Sequence, residues 1–239
     1  MMTELTLPII GYMHSSYKEK FGIPRQPNLV QVESYIEMLE PYNDVLAFEG
    51  VEAFSHLWLL WQFHDNKNPE KTQFRPQVRP PRLGGNKKIG VFATRSMYRP
   101  SQIGLSVVRL KCVKKEGKSV RVYVTGSDLL DGTPIVDIKP YIHYSDAVIN
   151  AESGYAQDEP KRKSVIWSDR AIKQKQQLLM SEKLSVQTAQ ELEAVLSLDP
   201  RPAYQDDEAR VYKMKFAAVD IAFTVGETTV NITDVELET

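Results

Sequence analysis

The sequence predicts a mainly β fold, a small antiparallel β-barrel with an appended α+β C-terminal domain, on three observations. Across the first 150 or so residues, short β-branched runs are separated by turn-rich segments, with few intervals of helical spacing. The character then changes at Ala151–Lys163, a polar stretch with Gly154 and Pro160. Beyond it, apolar residues recur at three- and four-residue spacing before a final pair of alternating runs. The domains expected are residues 1–150 as the barrel, 151–168 as a linker and 169–239 as the small domain.

Leu7–Tyr12 reads as the first strand, and Ser15–Asn28, polar with two prolines, as a loop. Phe54–His64 is apolar on both faces, which predicts a strand buried on both sides, with a buried helix as the rival. Arg75–Asn86 is rich in proline and arginine and is excluded from regular structure, because each proline removes a backbone donor and restrains its predecessor. Strands resume at Gly90–Thr94. Leu105–Val113 and Ser119–Thr125, joined by Lys114–Lys118, predict a hairpin, and Ile135–Ile142 adds another strand. Asp169–Lys183 and Val186–Leu198 are expected helices, with Ser168 or Asp169 and then Ser185 placed as N-caps. Asp199–Tyr204, with two prolines, stops the second. Tyr212–Thr224 and Thr229–Val235 alternate across Gly226 as a closing hairpin.

Apolar runs never reach the roughly 18 residues of a membrane span, and the N-terminus lacks the features of an export signal, so a cytoplasmic location is expected. Cys112 is the only cysteine, which excludes an internal disulfide, a thiolate zinc cage and a three-cysteine iron–sulfur site. Net charge is −1, but Lys71–Lys115 holds twelve basic residues and no acidic one, leaving 18 basic against 31 acidic elsewhere, a net −13. A block of one sign attracts polyanions such as nucleic acid; it could equally be a solvated face balanced by acids elsewhere in the fold.

Several common sites are absent. There is no phosphate-binding loop and no glycine fingerprint between a strand and a helix, so a Rossmann methyltransferase is not expected. His56 and His64 would lie about 26 Å apart on one strand, too far to share a metal, and no metal is expected. No serine sits in a nucleophile elbow. What remains are four polar loops at strand ends, where sites on barrels are built: Pro24–Asn28, His64–Asn66, Ala93–Pro100 and Asp128–Pro134.

In combination these segments carry a resemblance. Arg79–Asn86, Gly90–Ser96, Arg99-Pro100 leading to Ile103–Ser106, and Asp128–Pro134 continuing through Asp137–Tyr141 resemble, in order, the signatures of the TrmO (TsaA-like) family. Tyr17–Phe21 with Pro24–Pro27 near the start, and Asp199–Tyr204 near the end, extend the resemblance over almost the whole chain and match the bacterial form. Ser101-Gln102 stands where many relatives have Asn-Pro. The resemblance implies an S-adenosylmethionine-dependent tRNA methyltransferase, a homodimer, acting on N6 of threonylcarbamoyladenosine at position 37 of threonine tRNA reading ACN codons. It further implies cofactor contacts from Gln26, Pro27, Asn28, His64, Asp65, Arg95, Leu105, Asp131, Gly132, Thr133 and Pro134.

A sulfonium cofactor with an ammonium and a carboxylate wants acidic and basic partners, which Asp131 and Arg95 could supply. The accepting nitrogen is urea-like, so a base that takes its proton would help; Asp131 and Asp137 are the expected catalytic carboxylates. Arg82 and Lys139 are the expected cations for the threonyl carboxylate. Two rivals remain open. One is a non-enzymatic RNA-binding barrel that uses the basic block with Tyr98 and Tyr123; the other is a hydrolase using Asp128 with Asp131 or Asp137.

Overall fold

The computed structural model describes residues 5–65, 74–202, 205 and 207–238. Six strands close an antiparallel barrel: β1 (Gly11–His14), β2 (Glu33–Met38), β3 (His56–Gln62), β6 (Ile103–Glu116), β7 (Ser119–Thr125) and β8 (Pro134–Pro140), in the spatial order β1-β2-β7-β6-β3-β8. Alternation explains the core. Leu57, Leu59 and Trp61 of β3 meet Val108, Val122, Val124 and Ile135 inside, each worth roughly 1.5–3 kcal/mol of burial. The other face of β3 is only half-covered: Trp58 packs on Tyr141 at 5.8 Å and donates to Asp146 at 2.9 Å, on the short helix α1 (His143–Asp146).

Sequence and structure differ at several elements. The first strand starts at Gly11 rather than Leu7, beyond Pro8, which has no N–H to give. β2 escaped the pattern because its inward side is Ser34, Ile36 and Met38, so one of three core positions is polar. Within 75–86, Gln77–Val78 (β4) pairs with Ile89–Gly90 (β5), and Val91–Ala93 is a 3-10 turn rather than a strand.

The second core belongs to a four-stranded sheet, β10 (Tyr212–Phe216), β11 (Val219–Val225), β12 (Thr229–Leu237) and β9 (Ser164–Trp167), in which β9 runs parallel to β12. Thus the last residues of the expected linker are a strand. Tyr212–Thr224, expected as one strand, turns back at Ala217, whose φ of 52° is carried without the glycine that would have signalled it. The helices α2 (Asp169–Met180) and α3 (Val186–Leu196) begin where expected: Ser168 Oγ accepts from Ala171 N and Ser185 Oγ from Thr188 N. α3 buries Ala189, Leu192, Val195 and Leu196 against the sheet, one helical face.

The two cores are stitched together by the chain between β1 and β2. Tyr17, Val30 and Val32 are buried in the C-terminal core, Tyr17 bridges Phe216, and Ala217 N donates to Ser16 O at 2.8 Å. This excursion fixes the loop Lys20–Gln26, which walls the site. Among the described residues no helix is long and apolar enough to cross a membrane.

Candidate active site

A cavity of about 770 Å³ opens at the barrel end where β3 leaves and β6 enters. Trp61, Phe63 and Gly104 lie on its barrel side, Lys20–Gln26 and Asp128–Thr133 contribute two walls, and Phe92–Ser101 covers it. The size suits a nucleoside-bearing cofactor with part of a substrate.

Its floor is a short relay. Trp61 Nε1 donates to Ser106 Oγ at 3.0 Å, and Ser106 Oγ donates to Asp128 Oδ1 at 2.6 Å. The indole lies flat against Gly104, its cross-strand neighbour. Desolvation pushes the Asp128 carboxyl up to about 6, opposed by the Ser106 hydrogen bond and, more weakly, by the Arg95 charge. A carboxylate that exchanges its proton near neutral pH, oriented by a hydroxyl and facing a cavity, is equipped as a general base. Among the described residues lining the cavity, Asp128 is the carboxyl that accepts from a serine hydroxyl.

Of the residues expected from sequence, Gln26, His64, Asp65, Arg95, Leu105 and Thr133 line the cavity. Arg95 donates to Gln26 Oε1, and Lys20 pairs with Asp65 at 3.3 Å, so two of the four loops are tied to each other across it. Asn66 and Lys71 fall outside the described residues, as do Ala203 and Tyr204. Pro27, Asn28, Asp131, Gly132 and Pro134 are not in the lining. Asn28 instead locks the loop: at φ 64° it donates from its backbone to Gly126 O at 2.8 Å and from Nδ2 to Val107 O at 2.9 Å. Gly132 N donates to Met13 O at 2.8 Å, and Pro134 opens β8.

Asp131 and Asp137 are also absent from the lining, and each has partners elsewhere. Asp131 accepts from Ser15 N and Lys18 Nζ, both at 2.9 Å, and holds the start of the crossing segment. Asp137 sits on the outer face of β8, in an ion pair with Lys139 at 2.8 Å. That pair occupies Lys139 too, whereas Arg82, on a 3-10 turn (Pro81–Leu83), donates to Asp158 O and is not in the lining. Asp131→Ala should therefore cost roughly 1–3 kcal/mol of stability, the value of hydrogen bonds to a charged group, read by urea unfolding. An unchanged midpoint would contradict the anchoring role.

The basic block is spread around this mouth and over β6. Arg95 and Arg99 line the cavity, Arg75 lies over Tyr98 at 5.4 Å, and Lys111 is spent on Glu33. Tyr123 is not a free stacking platform: it donates to Glu116 at 2.6 Å and lies under Lys114.

The family models of the tRNA-methyltransferase O N-terminal domain and the TrmO C-terminal domain match residues 12–147 and 160–238. The chain belongs to the tRNA-methyltransferase O family. Within it, the tRNA (adenine(37)-N6)-methyltransferase of Escherichia coli is 44% identical over 208 residues, 87% of this chain and 86% of that one. A Pseudomonas aeruginosa protein named "Putative S-adenosylmethionine-dependent methyltransferase RcsF" is 45% identical over 92% of both chains. The crystal structure of TrmO from Pseudomonas aeruginosa superposes with a TM-score of 0.76 at 35% identity, covering 98% of this chain and 99% of that one. The TrmO fold and a tRNA methyltransferase activity follow.

Sequence reasoning missed Ser106 and Trp61 and weighed Asp128 only as half of a hydrolytic pair. The available signal was positional: Asp128 opens the polar loop directly after the β-run Ser119–Thr125, beside the serines Ser127 and, on the neighbouring strand, Ser106. Among the described residues no group of three or more His, Cys, Asp or Glu could hold a metal.

Proposed function

We propose that this chain methylates N6 of threonylcarbamoyladenosine at position 37 of threonine tRNA reading ACN codons, with S-adenosylmethionine as donor. The observation that carries the reading is Asp128, a proton-accepting carboxyl at the floor of a cavity whose rim is basic. The residues present fit the donor: Trp61, Phe63 and Phe92 offer aromatic surface to an adenine, Arg95 and Arg99 suit a carboxylate, and Asp65 and Asp128 suit cationic groups. When bound, the donor supplies an electrophilic methyl group.

The protein's own part is to position and to take a proton. With donor and substrate bound, the cavity walls would hold the accepting nitrogen against the methyl group, a placement worth several kcal/mol of barrier. Asp128, held by Ser106, receives the N6 proton as the nitrogen is alkylated. The surplus of arginine around Phe92–Ser101 attracts the anticodon loop. We further infer a cytoplasmic homodimer; the exposure of Tyr144, Val148 and Ile149 supports a covered face, and sedimentation of the purified chain checks it.

Titration calorimetry with S-adenosylmethionine should show saturable binding that weakens ten-fold or more in Arg95→Ala, the value of one charge-assisted hydrogen bond. Mass spectrometry of threonine tRNA from a strain lacking the chain should then show threonylcarbamoyladenosine without its N6-methyl group. Absence of donor binding, with or without tRNA, would leave the RNA-binding barrel as the reading.

A further inference from the structure

Phe74 and Phe92 are large apolar rings left in water, 54% and 69% exposed, and their centroids lie 6.1 Å apart at a tilt of 31°. Phe92 lines the active cavity, whereas Phe74, Arg75 and Tyr98 are outside the lining, so the ring pair runs from the rim outward. Guanidiniums are interleaved with these rings. Arg99 Cζ stands 5.8 Å from the centre of the Phe92 ring, and Arg75 Cζ 5.4 Å from that of Tyr98.

The backbone beneath them is fixed. β4 and β5 pair Gln77 with Gly90 and Val78 with Ile89, and Val91 N donates to Pro76 O at 3.0 Å, which joins the approach to β4, with Phe74 and Arg75, to the turn that carries Phe92. Val91, 1% exposed, anchors that turn, and Thr94 closes it: Thr94 Oγ1 donates to Val91 O at 2.7 Å and Arg99 Nη1 to Thr94 O at 2.5 Å. Rings held on a closed turn lose little freedom when a ligand covers them. The charge around them is of one sign. Residues 74–100 include no acidic side chain, and among the described residues no arginine or lysine of that segment forms an ion pair with a carboxylate. Exposed rings with unmatched guanidiniums beside them complement an unpaired nucleotide, which brings a flat π face and a phosphate together. A purely apolar partner would leave the guanidiniums unmatched, and a base-paired stem keeps its base faces stacked on each other.

We propose that Phe74, with Arg75 beside it, forms a stacking ledge outside the active cavity that holds the unpaired loop base next to the target adenosine. The base lies on the Phe74 ring, and Arg75 takes its phosphate. The inference rests on the reading of the chain as a tRNA methyltransferase and adds to it a base-holding residue that the cavity itself does not contain. Stacking accepts any base, because every base has a π face, so the ledge holds the loop open without reading its sequence.

The test is binding of a synthetic anticodon stem-loop RNA to the full chain without donor, read by fluorescence anisotropy, using the intact loop and loops from which one base at a time is removed to leave an abasic sugar. Phe74→Ala should weaken binding of the intact loop about ten-fold, the value of one stacked base, with an unchanged salt slope. Phe74→Trp should stay within about two-fold of wild type. Arg75→Gln should weaken binding and lower the salt slope by about one. The loop lacking the base next to the target adenosine should bind wild type about ten-fold more weakly, and on that loop Phe74→Ala should cost less than about a further two-fold. S-adenosylmethionine affinity should change less than about two-fold in Phe74→Ala. An unchanged affinity of Phe74→Ala for the intact loop overturns the ledge. So does a loss that persists undiminished on every abasic loop, since Phe74 then supports the covering segment instead of holding a base, and so does a donor affinity that falls in step. Should Phe74→Ala fail to fold, Phe74→Leu keeps the apolar bulk without the flat face, and an unchanged affinity there overturns the stacking. A wild type that holds the loop but never methylates it sinks the proposed reaction alone, because the Phe74 comparison needs no turnover; a wild type that holds no RNA overturns the ledge as well.

Discussion

Asp128→Asn is expected to lower kcat by about 10²–10⁴-fold and, above pH 6, to make the protein more stable. Both effects follow from one carboxyl pushed up to about 6 by burial. At low pH the folded and unfolded chains both carry it protonated. As pH rises through the ordinary carboxylate range, the unfolded chain ionises first, and the folded chain holds a proton at no advantage it can keep. That favourable contribution of the neutral carboxyl is lost as pH passes about 6. An asparagine keeps the shape and never ionises, so its stability relative to wild type should climb between about pH 4 and pH 7 by up to roughly 3 kcal/mol. Urea unfolding at pH 4, 6 and 8 measures it. In the wild type, kcat/KM should rise with pH around 6, and a bound sulfonium cation should shift the corresponding inflection in kcat downward, because a nearby positive charge favours the carboxylate. An asparagine variant with wild-type turnover would remove Asp128 from the chemistry.

Gly104→Ala should be nearly as damaging although it adds one carbon. A Cβ there would stand 2.3 Å from both Cε2 and Cζ2 of Trp61 and 2.7 Å from Cδ2, closer than non-bonded carbons allow. The indole cannot yield inward, since it is 8% exposed and packs edge-on against Phe63 at 4.4 Å. Strands β3 and β6 must part or the ring must tilt, at about 1–3 kcal/mol or more. Tilting withdraws Trp61 Nε1 from Ser106 Oγ, and Ser106 then no longer orients Asp128. A fall in the urea midpoint together with a loss of turnover is the expected pair. Normal stability in this variant would mean the indole has another place to go.

Most of the barrel was legible because its strands alternate strongly. Leu105–Val113 and Ser119–Thr125 lie within β6 and match β7, and both helix caps are the serines the pattern indicates. β2 and the turn at Ala217 were not, the first because Ser34 faces the core and the second because an alanine takes a conformation usually given to glycine. The site was legible as loops rather than as roles. Gln26, Asp65 and Arg95, expected as cofactor contacts, line the cavity, whereas Asp131 accepts from Ser15 and Lys18 and Asp128, three residues earlier, is in the lining. Spacing along an irregular loop does not say which of two acids is desolvated. Only the placement of Ser106, on a strand 22 residues earlier, decides it.

The bridge between Tyr17 and Phe216 has a consequence for how the protein is made. Residues 16–19 lead into Lys20–Gln26, which walls the active cavity, and their partners come about 200 residues later: Ser16 meets Ala217, Tyr17 meets Phe216, and Glu19 meets the backbone of Lys215. On a ribosome, the barrel strands through β8 emerge long before those partners do. A chain that has closed its barrel through β8 still lacks the C-terminal sheet that anchors this segment.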